Sequence, residues 1–331
     1  MKIASLFSGC GGLDLGFSNA SFKIVFANDN DKVVWETFEK NHKMKIDMRS
    51  ITDIKSNEIP DVEGIIGGPP CQSWSLAGAM RGAKDKRGQL FYEYVRILKD
   101  KQPLFFVAEN VPGIVSKTHK PEFEKLINEL EKANYNVNYN ILDARNYGVP
   151  QERKRVIIVG YNKKLGKEFN FAKIPKNCSE KWITLKQAIG DLPTAKSAAE
   201  KNKSNGKLEL LNHEYMNGSF STIYMSRNRK KNWTEQSFTI QAGGRHAPLH
   251  PSSSNMKKVE KDKWKFEGEN TKYRRLSVRE CARIQTFPDD FRFYYNNVSD
   301  GYKMIGNAVP VKLAEAIANQ IKKDLKNTGK N

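Results

Sequence analysis

This sequence is poorest in cysteine and histidine. Four cysteines, Cys10, Cys71, Cys178 and Cys281, and five histidines are spread through 331 residues, with no C-x-x-C pair and no histidine-rich tract. That spacing suggests no zinc site and no bound metal, and it fits a reducing, cytoplasmic compartment. Long apolar runs are missing too. The opening "MKIASLFSGCGG" has neither the apolar length of a signal peptide nor a cleavage pattern behind it, and no stretch approaches a membrane span. Export and a membrane partner are therefore not expected. Acidic residues are the third deficit. Asp and Glu number 37 against 56 Lys and Arg, a formal charge of +19 with a pI near 9.6, which favours a polyanionic partner and foremost nucleic acid. No internal repeat is visible.

In the first half, the runs "KIASLF", "FKIVFAN", "EGIIGG", "LFFVAEN" and "RVIIVGY" alternate with amphipathic stretches. The runs are short, apolar and bounded by Gly, Asn or Pro, so they predict buried strands. In "KPEFEKLINELEKANY", Phe123, Leu126, Ile127 and Leu130 recur on one helical face. This alternation predicts an α/β fold with a doubly wound, mostly parallel sheet, which binds ligands at the carboxyl ends of its strands. From about Lys176 the pattern gives way to basic, loop-rich segments such as "KSAAEKNKSNGK" and "QAGGRHAPLHPSSSN", read as a second, smaller, irregular β-rich domain. Ser277 and Glu280 then form a capping-box pattern. The closing "VKLAEAIANQIKKDLKN" puts Leu313, Ala314, Ile317, Ala318, Ile321 and Leu325 on one face, which is expected to dock on the first domain. The expected division is residues 1–175 for ligand and chemistry, 176–299 for recognition and hinge, and 300–331 as a returning segment.

"SLFSGCGGLDLGF" joins the first strand to a helix through Gly9, Gly11 and Gly12, which lets the backbone approach a nucleotide-like ligand closely. Counted from Gly9, the third glycine of a dinucleotide fingerprint falls on Asp14, whose carboxylate would repel a pyrophosphate. A nicotinamide-dependent oxidoreductase is disfavoured on that ground. S-adenosylmethionine, with a sulfonium and an amino group but no phosphate, suits the position better. Asp29 is placed to accept both ribose hydroxyls, and Asp47 to accept the exocyclic amine of an adenine. Either acid alone reads as readily as a turn or helix cap; the order of glycine loop, acid and acid carries the reading.

"GGPPCQSWS" holds a thiol on a stiff loop. A nucleophilic cysteine needs a rigid, partly exposed site with donors nearby. Pro69 and Pro70 restrict the backbone before Cys71, and Gln72, Ser73 and Ser75 supply donors after it. One run later, "FFVAENV" places Glu109 and Asn110 at a strand end, where a carboxylate either caps something or does chemistry. "QERKRVIIVG" puts Arg153 and Arg155 two residues apart, hence on one face of a strand. A cysteine, a carboxylate and an arginine in one cleft supply a nucleophile, an acid and a clamp for attack on a polarised heterocycle.

In order along the chain, "FSGCGGLDLGF", "GGPPCQSWS", "ENV", "QERKRVIIVG", "RRLSVRECARIQTFP" and "GYKMIGNAVP" resemble the motif series of the DNA (cytosine-5) methyltransferases, and together they span nearly the whole chain. The resemblance implies a Rossmann-like fold that uses S-adenosylmethionine and releases S-adenosylhomocysteine, without a metal. It implies that Cys71 adds to C6 of cytosine, that Glu109 holds or protonates N3, that Arg155 and Arg153 steady the pyrimidine and the loop, and that Asn110 holds the site's geometry. The cofactor positions implied are Phe7, Ser8, Gly9, Gly11, Gly12, Leu13, Asp29, Asn30, Asp47, Met48, Pro69, Leu90, Asn307 and Ala308. Two positions depart from the family. Asp29 stands where Glu is commoner, one methylene shorter towards a ribose, and Trp74 stands where Phe is common.

A paired cytosine hides C5 and C6 in the stack, so the partner implied is double-stranded DNA from which the target base is flipped. The basic second domain is then the expected sequence reader. Arg227, Arg229 and Arg245 are read as base contacts and Lys230 and Lys231 as phosphate contacts, with Gln72 and Ser75 as DNA-facing residues of the cysteine loop. "STIYMSRNRKKNWTEQSFTIQAGGRH" is also similar to the subgroup that modifies the inner cytosine of GGCC. A monomeric restriction-modification enzyme is implied, paired in function with an endonuclease but with no stable protein partner. Two other readings remain open. One is a tRNA cytosine methyltransferase of the same family. The other is a catalytically silent DNA-binding relative, although Cys71 and Glu109 are both present.

Overall fold

Each of the apolar runs forms a strand. The structure, a computed structural model, describes residues 1–70, 86–176, 182–206, 208–268 and 273–326. Cys71, Gln72, Ser75 and Trp74 therefore lie outside the described residues, as does Cys178. The chain divides into two units, the first made of Met1–Asp143, Lys154–Pro175 and Val311–Asn331, the second of Ala144–Arg153 and Lys176–Pro310. Residues 144–153 and 300–310 thus group with the second unit, where the sequence reading had put them in the first domain and the returning segment.

The first unit runs β1 (Lys2–Leu6), α1 (Gly12–Asn19), β2 (Lys23–Asn28), α2 (Lys32–His42), β3 (Gly64–Gly67), α3 (Lys86–Lys101), β4 (Phe105–Asn110), α4 (Lys120–Lys132), β5 (Tyr135–Asp143) and β6 (Lys154–Asn162). Its six strands lie in the order β2-β1-β3-β4-β6-β5. The pairs β1–β2, β1–β3 and β3–β4 are parallel, while β6 runs antiparallel to both β4 and β5. Strand order reverses at β1, so the crevice between the carboxyl ends of β1 and β3 is the position where such sheets bind ligands.

Alternate residues of each strand serve opposite faces. Ala4, Leu6, Ile65, Phe106, Ala108, Val156 and Ile158 share a buried cluster with Phe91, Tyr94 and Leu98 of α3 and Phe123, Leu126 and Leu130 of α4. On the other parity, Phe105 stacks with Phe17 of α1 at 6.4 Å between ring centroids. Both faces being covered explains why the strands read as continuous apolar runs. β5 is a strand that no apolar run announces. It is an edge strand carrying Asn136, Asn138 and Asn140, with Tyr135 and Leu142 as its buried residues.

The second unit contains α5 (Leu185–Ile189), the two-residue strands β7 (Lys196–Ser197) and β8 (Glu214–Tyr215), the hairpin β9 (Met256–Glu260) and β10 (Lys263–Phe266), α6 (Val278–Ile284) and α7 (Val298–Asn307). Most of its backbone is irregular, and buried arginines satisfy carbonyls that no ladder serves. Arg275 donates to Gly218 O at 3.2 Å and Ser219 O at 3.0 Å, and Arg279 to Leu211 O and Phe291 O at 3.0 Å each. The Ser277–Glu280 capping box forms at the start of α6. The chain then re-enters the first unit as α8 (Val311–Lys326), whose face of Leu313, Ala314, Ile317, Ala318 and Ile321 is buried. α8 lies against α1 so closely that a Cβ on Gly16 would sit 2.4 Å from Ala314 Cβ.

Candidate active site at the carboxyl edge of the sheet

The loop from β1 to α1 needs three left-handed residues, Phe7 (φ 54°), Gly9 (φ 57°) and Gly11 (φ 88°), and glycine supplies the last two without a Cβ penalty. A Cβ on Gly9 would meet nothing within 4 Å, so open space lies over that backbone. Asp29, just beyond β2, ties this loop down. Its Oδ2 accepts from Gly9 N at 2.8 Å and its Oδ1 from Asp31 N at 2.9 Å. Ser8 Oγ donates to Ser5 O at 3.2 Å and Asn28 O at 3.3 Å. Phe7 and Leu90 both pack, half-buried, on the core cluster beneath. Leu13 is buried, whereas Asn30 and Met48 are exposed.

Asp47 is engaged differently from the expectation. Its carboxylate takes Arg49 in a fork, with Nη2 at 2.7 Å and Nε at 3.1 Å, and Arg49 reaches on to Glu58 at 3.0 Å. Hydrogen bonding from Arg49 holds the Asp47 carboxyl below its ordinary value. An adenine amine would thus share an acid that already has a cation. Arg49, two residues along, gave no signal in the sequence. Asp14 lies wholly buried in the first turn of α1, and neither carboxylate oxygen has a hydrogen-bond partner. Burial pushes its carboxyl up to about 7.

At the end of β4, Glu109 Oε1 meets Arg155 Nε at 2.8 Å, with only 10% and 11% of the two side chains exposed. β6 is antiparallel to β4, and Asn110 pairs with Val156, so Arg155 sits one residue past the end of the β4 ladder, beside Glu109. Burial pushes the Arg155 guanidinium down from its ordinary value and the Glu109 charge pulls it back up. Asn110 Nδ2 donates to Pro69 O at 2.9 Å, gripping the chain two residues before Cys71. Pro69 itself is buried. A Cβ on Gly68 would lie 3.4 Å from Glu109 Oε2, so the glycine-proline loop passes directly by the carboxylate. The strand ends thus present a clamped acid beside an anchored loop.

A model of the C-5 cytosine-specific DNA methylase family matches residues 1–323. The chain belongs to that family. It is 64% identical over 327 residues to the type II methyltransferase M.MthTI of Methanothermobacter thermautotrophicus, covering 98% of each chain. It is also 54% identical over 330 residues to the type II methyltransferase M.FnuDI of Fusobacterium nucleatum, covering 98% of this chain and 95% of that one. Among solved structures, a prophage-encoded protein of E. coli described as a DNA modification methyltransferase superposes with a TM-score of 0.76 at 24% identity, over 98% and 99% of the two chains. The methyltransferase EhMeth of Entamoeba histolytica gives 0.71 at 17%, over 100% and 99%. These two likenesses establish the fold.

Within this DNA methylase, three residues expected at the site, Arg153, Asn307 and Ala308, belong to the second unit. Arg153 was expected beside Arg155 on the pyrimidine. It is fully buried, and its guanidinium donates to Ile240 O at 3.0 Å and to Gly306 O and Ala308 O at 2.8 Å each. The strand that should align the two arginines begins only at Lys154, so the alternation that would put them on one face does not extend to Arg153. Asn307 is exposed at the end of α7, and Ala308 is buried with its carbonyl on Arg153.

The expected DNA-facing residues divide as well. Arg227 and Arg245 are exposed and make no ion pair or hydrogen bond among the described residues. Arg229, expected to present a free fork, is buried instead. Its Nε donates to Tyr224 O at 3.0 Å and its Nη2 to Ile223 O at 3.2 Å, with the guanidinium 4.9 Å from the Tyr224 ring centroid. Lys231, expected on a phosphate, is paired with Glu152 at 3.1 Å and Glu235 at 3.2 Å, over the Phe238 ring. Lys230 reaches Asn255 Oδ1 at 2.6 Å. A cavity of about 530 Å³ opens in this unit among Lys201, Asn217, Ser219, Arg245, Arg275 and Asn297, with no acid in its lining. Among the described residues no group of acids, cysteines and histidines is placed to hold a metal, and no helix is long and apolar enough to cross a membrane.

Proposed function

We propose that the chain is a sequence-specific DNA (cytosine-5) methyltransferase that modifies a cytosine flipped from double-stranded DNA through an adduct with Cys71. The pairing of Glu109 with Arg155 beside the anchored Gly-Pro loop carries this reading. It holds an acid in a partly dry cleft at the sheet's carboxyl edge, within reach of the loop that bears the cysteine. Cys10 and Cys281 are both buried, and burial pushes their thiols up, which suits neither to nucleophilic attack.

The glycine loop fits S-adenosylmethionine. Its backbone lies open above Gly9, and the Asp29 carboxylate sits at the same loop, on the Gly9 amide at 2.8 Å, where a ribose hydroxyl would meet an acceptor. Phe7, Gly9, Gly11 and Asp29 would hold the cofactor, with Leu90 and Pro69 at its borders. When bound it supplies an electrophilic methyl group and leaves as S-adenosylhomocysteine. In the protein's own part, the Cys71 thiolate adds its electron pair to C6 of cytosine. Glu109 holds or protonates N3, so that the ring's charge is offset as electron density builds at C5. Arg155 fixes the Glu109 carboxylate, and Asn110 fixes the approach of the Cys71 loop through the Pro69 carbonyl. Once C5 carries the methyl group that the cofactor would supply, a base takes the C5 proton, the electron pair of the breaking C–H bond reforms the C5–C6 double bond and expels the Cys71 thiolate, and any proton taken up at N3 returns to Glu109.

The second unit would read the sequence, with Arg227 and Arg245 as the exposed guanidinia available to base edges. The inner cytosine of GGCC is the target we favour, and a cognate endonuclease the functional partner of a monomeric enzyme. The decisive experiment is expression in a host without cytosine methylation, followed by bisulfite mapping of its plasmid DNA. Protection at the inner cytosine of GGCC is expected. Protection at another motif would replace the target. No protection, with the purified protein still binding the cofactor, would point to RNA or to a silent relative.

A further inference from the structure

His42, the last residue of α2, takes no part in that mechanism. No motif of the sequence includes it. Its ring stacks on Phe38 one turn earlier, at 4.4 Å between centroids and 24° between planes, and its Nε2 is buried. On its other side it meets the glycine loop. A Cβ built on Gly11 would sit 1.9 Å from Nε2, with the ring's Cδ2 and Cε1 at 2.7 and 2.9 Å, so the imidazole fills the space that any side chain at position 11 would occupy. Backbone hydrogen bonding to Cys10 and Gly11 pulls the imidazole towards protonation, but burial outweighs it and pushes the group down to about 4. It is therefore a neutral wedge at physiological pH.

The loop needs such support. Phe7, Gly9 and Gly11 all sit in the left-handed region within five residues, and the two glycines give the unrestrained chain many other conformations. Asp29 restrains the loop at Gly9 N, whereas His42 restrains it from the Cys10–Gly11 side. We propose that His42 is a positioning residue for the cofactor, holding the Gly9–Gly12 loop in its binding shape through the Gly11 backbone. The inference rests on the reading of this loop as the S-adenosylmethionine cradle.

The test is calorimetric titration of the full chain with S-adenosylhomocysteine, together with hydrogen exchange at the loop amides and the thermal midpoint, for wild type, His42→Ala and His42→Gln. His42→Ala, which empties the space against Gly11, is expected to weaken binding about tenfold and to speed exchange at Gly11 and Gly12. His42→Gln, which keeps an amide donor, should recover most of both. An unchanged dissociation constant in His42→Ala would overturn the proposal, including where the thermal midpoint alone falls. Wild type that fails to bind S-adenosylhomocysteine would remove the cradle reading itself, an outcome distinct from binding that ignores His42.

Discussion

Glu109 and Arg155 meet at 2.8 Å across an antiparallel strand pair, with about a tenth of each side chain exposed. The sheet is otherwise parallel along β1, β3 and β4, so the reversal of β6 is what brings the amino end of one strand beside the carboxyl end of another. The arginine thus enters at the edge where parallel strands deliver the acid. An ion pair this buried is costly to assemble and more costly to break on one side, which suits a geometric role better than a stabilising one.

Glu109→Gln breaks that pair on one side, so it should lower stability while its matched shape leaves the Asn110–Pro69 contact in place, and it removes the acid that the proposed step at N3 uses. Methyl transfer into plasmid DNA from a labelled cofactor is expected to fall about a hundred- to ten-thousandfold, with cofactor binding unchanged. Turnover within tenfold of wild type would take Glu109 out of the chemistry.

Much of this edge was legible in the sequence because it follows from short-range rules. The strands at Gly64–Gly67 and Phe105–Asn110 are apolar runs closed by Gly and Asn, Lys2–Leu6 runs on into the glycine loop, and each leads to a residue expected at the site. What stayed hidden depends on contacts distant in sequence or on choices that a local pattern leaves open. β5 is an edge strand with a polar Asn series. The forked partner of Asp47 is its near neighbour Arg49, and local pattern does not distinguish a salt bridge from a free acid. Arg153 and Arg155 share a strand period on paper, but the ladder begins between them, and Arg153 reaches Ile240, Gly306 and Ala308 instead. His42 sits at a helix end, where a histidine reads as a favourable charge near the dipole and not as a wedge against a glycine 31 positions earlier.

Arg153→Met tests the structural assignment. It would take the Arg153 donor from the buried carbonyls of Ile240, Gly306 and Ala308, leaving Ala308 O with Gln285 Nε2 at 3.3 Å, and should cost about 2–4 kcal/mol in urea denaturation. A variant that is as stable as wild type but inactive would instead restore Arg153 to the pyrimidine.

Asp14 predicts a pH dependence. Its carboxyl is raised from 3.8 to about 7 by burial, so the folded chain holds a proton that the unfolded chain releases. The stability this contributes is fully present below pH 4 and is lost as pH rises through about 7, by about 4 kcal/mol at most. Asp14→Asn cannot ionise, so relative to wild type it should gain stability between pH 5 and pH 8. Parallel denaturation curves for the two proteins across that range would mean that Asp14 is not protonated in the fold.

The second unit separates free cations from engaged ones. Arg227→Ala and Arg245→Ala should each weaken binding to the modified site by about 1–3 kcal/mol while leaving random DNA little changed, because a guanidinium on a guanine edge discriminates and one on a phosphate does not. Lys231 already has Glu152 and Glu235, so its neutralisation releases few counterions, and Lys231→Ala should leave the salt dependence of DNA binding nearly unchanged while lowering the thermal midpoint. A salt slope reduced by about one in Lys231→Ala would show that the lysine leaves its acids for a phosphate when DNA binds. The Glu152 and Glu235 contacts would then be a resting arrangement and not its working one.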